Sequence, residues 1–126
     1  MTDARVTASA NALLEVNALT KDFRGLRAVS EVSFSVPERG IIALIGPNGA
    51  GKTTTFNMIA GAFAPTSGRV RFAGRDITGE RPDRVCAAGI GRTFQIVKPF
   101  PDMTVLENVT VGALQRLPNV RDARIE

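Results

Sequence analysis

A glycine-rich stretch carries a lysine and a threonine at a spacing that could bind an anion: Gly46-Pro47-Asn48-Gly49-Ala50-Gly51-Lys52-Thr53. It satisfies the pattern G-x-x-x-x-G-K-[ST], in which backbone N–H groups point toward a phosphate. Gly46, Gly49 and Gly51 permit the close approach and positive φ angles that a Cβ atom would oppose. The spacing therefore predicts a phosphate-binding loop.

The side chains that end this loop have separate expected roles. A helix beginning near Lys52 would add free N–H groups and a partial positive charge. Lys52 would reach the β- and γ-phosphates, Thr53 would place its hydroxyl on Mg²⁺, and Thr54 would contact phosphate. Pro47 and Asn48 would shape the loop. The alternative is a glycine turn with a surface lysine, but the pattern favours a nucleoside triphosphate bound with Mg²⁺.

The elements that must position this loop follow from the periodicity of apolar residues. Strands are predicted over residues 13–19, 29–36, 41–45, 69–73 and 90–94, and helices over residues 52–60, 81–88 and 104–117. The run 41–45 is continuously apolar, as in a strand buried on both faces.

Two of the predicted helices carry more detailed signals. In the helix after the loop, Phe56, Ile59 and Ala60 are expected to face inward. The last helix begins with Thr104, and Glu107 follows three residues later. This spacing predicts a capping box, in which each of the two side chains accepts a backbone N–H of the other residue.

Composition limits the class of protein. The chain has 126 residues, of which 44% are hydrophobic and 22% charged, so it is globular rather than disordered. Its net charge is +4, but the arginines are spread from Arg5 to Arg124 and no aromatic-rich basic stripe accompanies them. A nucleic-acid partner is therefore not expected. The opening stretch has no basic segment followed by an apolar one, so no secretion signal is expected.

Other motifs would distinguish the kinds of phosphate-binding protein. A GTPase would need N-K-x-D to bind guanine, and the chain has none. The short pattern D-x-x-G occurs at residues 76–79 and also at 22–25, on the wrong side of the loop, so it carries no weight. A small P-loop kinase would need an arginine-bearing lid, and no segment identifies one.

Three longer strings carry a family resemblance: GPNGAGKTT, PTSGRVRFAGRDITG and GIGRTFQIVKPFPDMTVLENV. They resemble the ATP-binding subunit of an ABC transporter. Together with GLRAVSEVSFSVPERG, they are most similar to subunits of branched-chain amino-acid importers, over about residues 13–117. The resemblance implies an α/β P-loop NTPase fold: the N-terminal part of an ABC nucleotide-binding domain, with a mixed sheet and the P-loop helix.

The resemblance also implies roles for single residues outside the loop. Phe23 falls where the family has an aromatic that stacks on adenine; the alternative is a core phenylalanine at a strand end. Gln95 matches the family's glutamine loop, whose amide touches Mg²⁺ or the attacking water. Lys52 and Gln95 are thus the expected catalytic residues. Residues 96–108 would line the cleft for a permease helix, with Phe100 and Met103 in apolar contact or in plain core packing.

Several family motifs are absent from these 126 residues. No acid after the loop follows four apolar residues, the signature Leu-Ser-Gly-Gly-Gln does not occur, and there is no histidine. Residues 1–12 are mostly small and polar, and we expect them to be a flexible arm. Residues 13–126 are expected to form a partial ABC domain, truncated before the signature, the Walker B motif and the switch histidine.

The resemblance implies an ATP-binding subunit that couples ATP binding and hydrolysis to amino-acid uptake, with branched-chain amino acids as the expected substrates. Its partners would be transmembrane permease subunits, a second ATP-binding subunit in a homo- or heterodimer, and indirectly a periplasmic or extracellular substrate-binding protein. It would lie in the cytoplasm on the inner face of the plasma membrane. The alternative is a truncated nucleotide-binding or interaction module without turnover. An ABC protein acting on DNA would instead show salt-sensitive DNA binding.

Overall fold

The computed structural model describes residues 12–114, 116 and 117, so residues 1–11 of the expected arm lie outside the described residues. The chain divides into two compact units, Met1–Ala88 and Gly89–Glu126. Ala12 already belongs to the first strand. Among the described residues, no helix has the length and apolar composition needed to cross a membrane.

The first unit contains a four-stranded sheet. Its strands are β1 (Ala12–Phe23), β2 (Leu26–Pro37), β3 (Ser67–Phe72) and β4 (Arg75–Asp76), in the order β2-β1-β3-β4. They include the strands predicted over 13–19, 29–36 and most of 69–73, which are confirmed. Every strand pair among the described residues is antiparallel, so the parallel part of the expected mixed sheet is not found there.

Two-residue turns close both hairpins of this sheet. Arg24 and Gly25 have φ angles of 45° and 90°, and Ala73 and Gly74 have φ angles of 47° and 77°. Two consecutive positive φ angles match the right-handed twist of the flanking strands, and glycine adopts the second without a Cβ penalty. The β1–β2 turn brings Phe23 opposite Leu26.

Three helices complete the described fold: α1 (Lys52–Ile59) and α2 (Pro82–Ala88) in the first unit, and α3 (Val105–Ala113) in the second. The capping box at α3 is confirmed, because the Thr104 hydroxyl accepts the Glu107 N–H and the Glu107 carboxylate accepts the Thr104 N–H. The helix ends at Ala113, four residues before the expected Leu117, and the expected stop at Pro118 lies outside the described residues.

The core of the first unit takes its buried side chains from the sheet, α1, α2 and the loop residue Ile77. Its most deeply buried side chains are Leu19 of β1, Met58 of α1, Val70 of β3 and Val85 of α2. Each comes from a different element, so two strands and both helices of this unit contribute to its buried core. Leu19 lies on β1, a central strand that pairs with both β2 and β3, and it has no exposed surface.

The buried face of α1 differs from the expected one. Ile59 is buried as predicted, but Phe56 is 54% exposed and Ala60 is only half-buried. Thr55 and Met58 are buried with Ile59 instead, which turns the inner face back by about one residue, or about 100°. Thr55 tolerates burial because its hydroxyl donates a 3.0 Å hydrogen bond to the Gly51 carbonyl oxygen.

Two predicted strands do not form. Residues 41–45 carry no regular structure, and Ile41 and Ile45 are 97% and 91% exposed. Residues 90–94 also form no strand. The expectation of a strand buried on both faces at 41–45 is therefore wrong for this structure. A strand needs neighbours that pair its backbone, and the sheet formed by residues 12–76 does not include this segment.

Candidate phosphate-binding site

The predicted loop runs from the end of the unpaired segment 41–45 directly into α1. Gly51, the residue before the helix, has φ 86° and ψ 6° in the left-handed region. No side chain caps the first turn of α1, and that turn contains no acidic residue. The N–H groups and the positive end of the helix dipole are therefore not neutralised by the protein's own side chains, which suits an anion.

The glycines of the loop meet different surroundings. A Cβ atom on Gly51 would lie 2.9 Å from the Val29 Cγ2 atom and still closer to the Ala28 carbonyl oxygen, so the loop packs directly on β2. Gly49 also has a positive φ, 83°, but a Cβ atom there would meet nothing within 4 Å. Gly51 thus joins the loop to the sheet, and Gly49 lies where a ligand could approach the backbone.

Lys52 folds back over the loop that contains it. Its ammonium group donates hydrogen bonds to the Gly46 carbonyl oxygen and, at 2.6 Å, to the Pro47 carbonyl oxygen. The Lys52 side chain is half-buried. The Pro47 carbonyl oxygen also accepts the Ala50 N–H at 3.2 Å, which closes a turn within the loop. The Lys52 ammonium group is therefore held at the loop. A phosphate oxygen could replace the two carbonyl oxygens as its hydrogen-bond partner.

Thr53 and Thr54 follow Lys52 in the first turn of α1, the first exposed and the second half-buried. Among the residues that the structure describes, no group of three or more His, Cys, Asp or Glu side chains could hold a metal ion. The loop thus offers Mg²⁺ the neutral Thr53 hydroxyl and no carboxylate cage. Such a site fits Mg²⁺ in company with phosphate oxygens and water, which is how proteins commonly bind this ion beside a nucleotide.

Phe23 lies at the end of β1, beside the turn of the hairpin whose second strand contacts Gly51. Its ring is 38% exposed, which is more than a core phenylalanine would show. The Phe63 ring packs against it edge to face, with ring centroids 5.6 Å apart and planes at 84°. The Lys21 ammonium lies 5.1 Å from the centre of the Phe23 ring. Phe23 is therefore partly exposed and at the same time contacted by Phe63 and Lys21.

An ion pair closes the same end of the hairpin. Arg27 Nε donates to Asp22 Oδ1 at 2.9 Å, and Arg27 Nη2 donates to Asp22 Oδ2 at 3.3 Å. The hydrogen bonds and the charge of Arg27 lower the pKa of the Asp22 carboxyl. The pair spans the two-residue turn after Phe23, so it constrains the backbone on both sides of that turn.

Gln95 belongs to the second unit and is exposed there. Around it, Phe94, Ile96 and Val97 are also exposed, and a cavity of about 430 Å³ is lined by Thr93, Phe94, Val97 and Lys98. Phe100 and Met103 are 53% and 37% exposed. Plain core packing therefore does not describe these two side chains, and the role of Gln95 at a nucleotide stays a prediction.

Sequence reasoning missed contacts within each of the two units. Phe63 and Lys21 contact Phe23, yet Phe63 is 40 positions from Phe23 in the chain, so no local spacing could have indicated that pair. Asn108 was also missed. Its side-chain amide donates to the carbonyl oxygens of Phe100, Met103 and Thr104 and accepts the Phe100 N–H at 2.8 Å, which organises the turn before α3.

A glycine-rich loop that leads directly into a helix, with Lys52 and Thr53 at the junction, is the arrangement typical of the P-loop class of proteins. The sequence matches the family model of the ABC transporter over residues 29–126, and the chain belongs to that family. The expected resemblance and fold class are thereby confirmed.

Particular relatives narrow the comparison. The chain is 44% identical over 105 residues to the high-affinity branched-chain amino acid transport ATP-binding protein BraF of Pseudomonas aeruginosa. It is 47% identical over 105 residues to the corresponding protein LivG of Salmonella typhimurium. Each match covers 83% of this chain and 41% of the relative, so the chain spans about two-fifths of the length of these curated relatives.

A solved structure agrees with this assignment. The crystal structure of the ADP conformation of an ATP-binding cassette from an ABC transporter superposes with a TM-score of 0.75 and 36% sequence identity. The superposition covers 90% of this chain and 45% of that one. The described fold therefore corresponds to part of an ABC cassette.

Proposed function

We propose that this chain binds MgATP through residues 46–53 and is part of the ATP-binding subunit of an ABC importer for branched-chain amino acids. The observation that carries the nucleotide site is the arrangement at the start of α1. There Gly51 is packed on β2, the first turn is uncapped, and the Lys52 ammonium is held over the loop. An anion bound at this point would meet the helix N–H groups and the Lys52 charge together.

Each proposed contact follows from that arrangement. The loop N–H groups and those of the first turn of α1 would bind the phosphates, with Thr54 as a further donor. Lys52 would exchange its two carbonyl partners for the β- and γ-phosphate oxygens. Thr53 would hold Mg²⁺ together with those oxygens, and the ion would neutralise charge that develops on the phosphates. Gln95 would bind the same ion or orient water.

The base and the partners complete the proposal. The exposed part of the Phe23 ring would stack on adenine. Uptake of branched-chain amino acids is proposed from the names of relatives of which the chain spans only two-fifths. The proposed partners are permease subunits, a second ATP-binding subunit and, indirectly, a substrate-binding protein. The chain would then work in the cytoplasm on the inner face of the membrane.

A second candidate is a binding or interaction module without turnover. Such a module would use the same loop and Lys52 contacts but would need no acid that orients an attacking water. Both candidates require the same binding of the nucleotide phosphates by the loop. They differ in whether the γ-phosphate is hydrolysed and released. Phosphate release from MgATP, measured alongside binding, separates them.

The proposed binding of phosphate by the loop is tested by Lys52→Ala in the 126-residue chain, with MgATP binding measured by calorimetry. Loss of charge-assisted hydrogen bonds of about 1.5–3 kcal/mol should weaken binding about 10- to 150-fold. Lys98→Ala is the matched control, because it removes the same charge outside the loop. Its affinity should stay within about twofold of the parent chain, since surface substitutions away from a site have small effects.

Two results would contradict the proposal. A folded Lys52→Ala variant with unchanged affinity would remove the assigned role of the loop. Equal weakening by Lys98→Ala would show that the overall charge attracts the nucleotide and that the loop adds nothing specific. Circular dichroism of each variant establishes that it is folded before its affinity is compared.

A further inference from the structure

Part of the surroundings of Phe23 comes from a segment that begins 40 positions later in the chain. The Phe63 ring packs against the Phe23 ring at 5.6 Å and an angle of 84°. The Lys21 ammonium lies 5.1 Å from the centre of the Phe23 ring and donates a 2.6 Å hydrogen bond to the Ala64 carbonyl oxygen. Residues 63 and 64 thus contact Phe23 both directly and through Lys21.

Backbone hydrogen bonds fix the same segment to the end of β1. The Thr66 N–H donates to the Thr20 carbonyl oxygen at 2.9 Å, and the Asp22 N–H donates to the Thr66 hydroxyl at 3.0 Å. Together with the Lys21 bond, these contacts tie residues 64 and 66 to residues 20–22. The position of the Phe63 ring relative to Phe23 is therefore set by a connected group of contacts and does not depend on one flexible side chain.

This segment is also the continuation of α1. The Ala62 N–H donates to the Asn57 carbonyl oxygen at 2.8 Å, so residue 62 is bonded back onto the helix. At Gly61, φ is 78° and an added Cβ atom would lie 3.0 Å from the backbone N of Pro82, so the turn is closely packed. One helix therefore carries the phosphate-binding loop at its start and the support for Phe23 just after its end.

We propose that Phe63, assisted by Lys21, is a positioning residue that holds the Phe23 ring in the orientation required to stack on the base of the nucleotide. This inference rests on the proposed function. A ring with a free χ rotation would have to be ordered when the base binds, whereas a ring held by an edge-to-face contact is already ordered. Phe63 should therefore contribute to the base-dependent part of the affinity and leave the phosphate-dependent part unchanged.

The exposure of Phe63 favours this role over simple core packing. Its side chain is 37% exposed, whereas the apolar side chains that form the core of this unit, such as Leu19 and Met58, are almost completely buried. Its ring contact is to Phe23, which is itself 38% exposed. The pair therefore forms an aromatic surface that a planar base can approach.

The experiment compares MgATP with Mg²⁺-tripolyphosphate, which has the phosphates and no base, by calorimetry on the full 126-residue chain. Phe63→Ala should weaken MgATP binding about 3- to 10-fold, the range of an aromatic pair contact, and leave tripolyphosphate binding unchanged. Phe63→Tyr, which keeps the ring, should restore the parent affinity. Phe56→Ala is the matched control, because Phe56 is also an exposed phenylalanine but lies on α1. This variant should bind both ligands as the parent chain does.

A double variant tests whether Phe63 acts through Phe23. In a Phe23→Ala background, Phe63→Ala should cause no further loss of MgATP affinity, because there is no ring left to hold. Full additivity of the two losses would overturn the proposal. An unchanged ratio of MgATP to tripolyphosphate affinity in Phe63→Ala would overturn it as well.

Two further measurements keep the outcomes separate. If Phe63→Ala does not fold, Phe63→Leu replaces it, since leucine retains apolar bulk without a ring; parent-like ATP selectivity in that variant would overturn the proposal. If Lys52→Ala leaves both ligands unaffected, the proposed function itself fails. If Lys52→Ala weakens the binding of both ligands but Phe63→Ala has no effect specific to the base, the proposed function is supported and only the inference about Phe63 is overturned.

Discussion

Strand β2 and the segment 41–45 are both rich in apolar residues and lie only a few positions apart, yet they end in opposite states. β2 pairs along most of its length with β1, and its Val29 is buried. In the segment 41–45, Ile41 and Ile45 are almost fully exposed and no backbone pairing occurs within the sheet. Apolar character therefore made each segment competent for a strand, and only the presence of a neighbour made one of them form.

The predicted phosphate-binding loop follows directly after the segment 41–45 and packs against β2 at Gly51. Gly51 contacts the backbone of β2, while Gly46 continues from the unpaired segment. The close-packed side fixes where α1 begins, and hence where its uncapped N–H groups point. The start of α1 is thus positioned by the β1–β2 hairpin and not by the apolar run that precedes the loop.

The largest expected difference between the two regions is in stability. Leu19→Ala, in the strand that pairs with β2, should lower the free energy of unfolding by about 2–5 kcal/mol, because it leaves a cavity in a fully buried site. Ile45→Ala should change it by less than about 0.5 kcal/mol, because that side chain is exposed. Urea unfolding followed by circular dichroism measures both. Equal losses would mean that the run 41–45 is packed in solution.

A smaller difference is expected within the loop itself. Gly49→Ala should cost about 1–2 kcal/mol of folding free energy, since its φ is positive but the added methyl group meets open space. Gly51→Ala should cost a further ~1–3 kcal/mol, because its methyl group would also press on Ala28 and Val29. The same unfolding measurement compares them. A Gly51→Ala variant no less stable than Gly49→Ala would show that the loop does not pack on β2.

The smallest effect concerns the exposed ion pair at the end of the hairpin. The pKa of Asp22 is lowered by Arg27, so the pair stabilises the fold above the ordinary carboxyl pKa and loses this contribution as the pH falls through the lowered value. Arg27→Met should raise the Asp22 pKa toward its ordinary value in an NMR titration. Asp76 is the internal control, since hydrogen bonds from Thr78 lower its pKa. A parallel rise at Asp76 would indicate a general change in the sheet.

The accuracy of the sequence predictions follows the range of the interactions involved. The capping box of α3, which was predicted, joins residues only three apart. The inner face of α1 was missed because the choice between Phe56 and Thr55 depends on how the helix rotates against the sheet. The Phe23–Phe63 pair was missed because nothing near either residue encodes the contact.

By itself, the sequence indicated the glycine-rich loop before α1, the hairpin strands and the cap of α3, because each depends on backbone preferences and hydrogen bonds within a few residues. Only the tertiary structure decided that residues 41–45 remain unpaired, that Thr55 is buried in place of Phe56, and that Phe63 contacts the Phe23 ring. These outcomes depend on contacts between residues far apart in the chain. Local patterns state which contacts a residue can make, and the packing of distant elements selects among them.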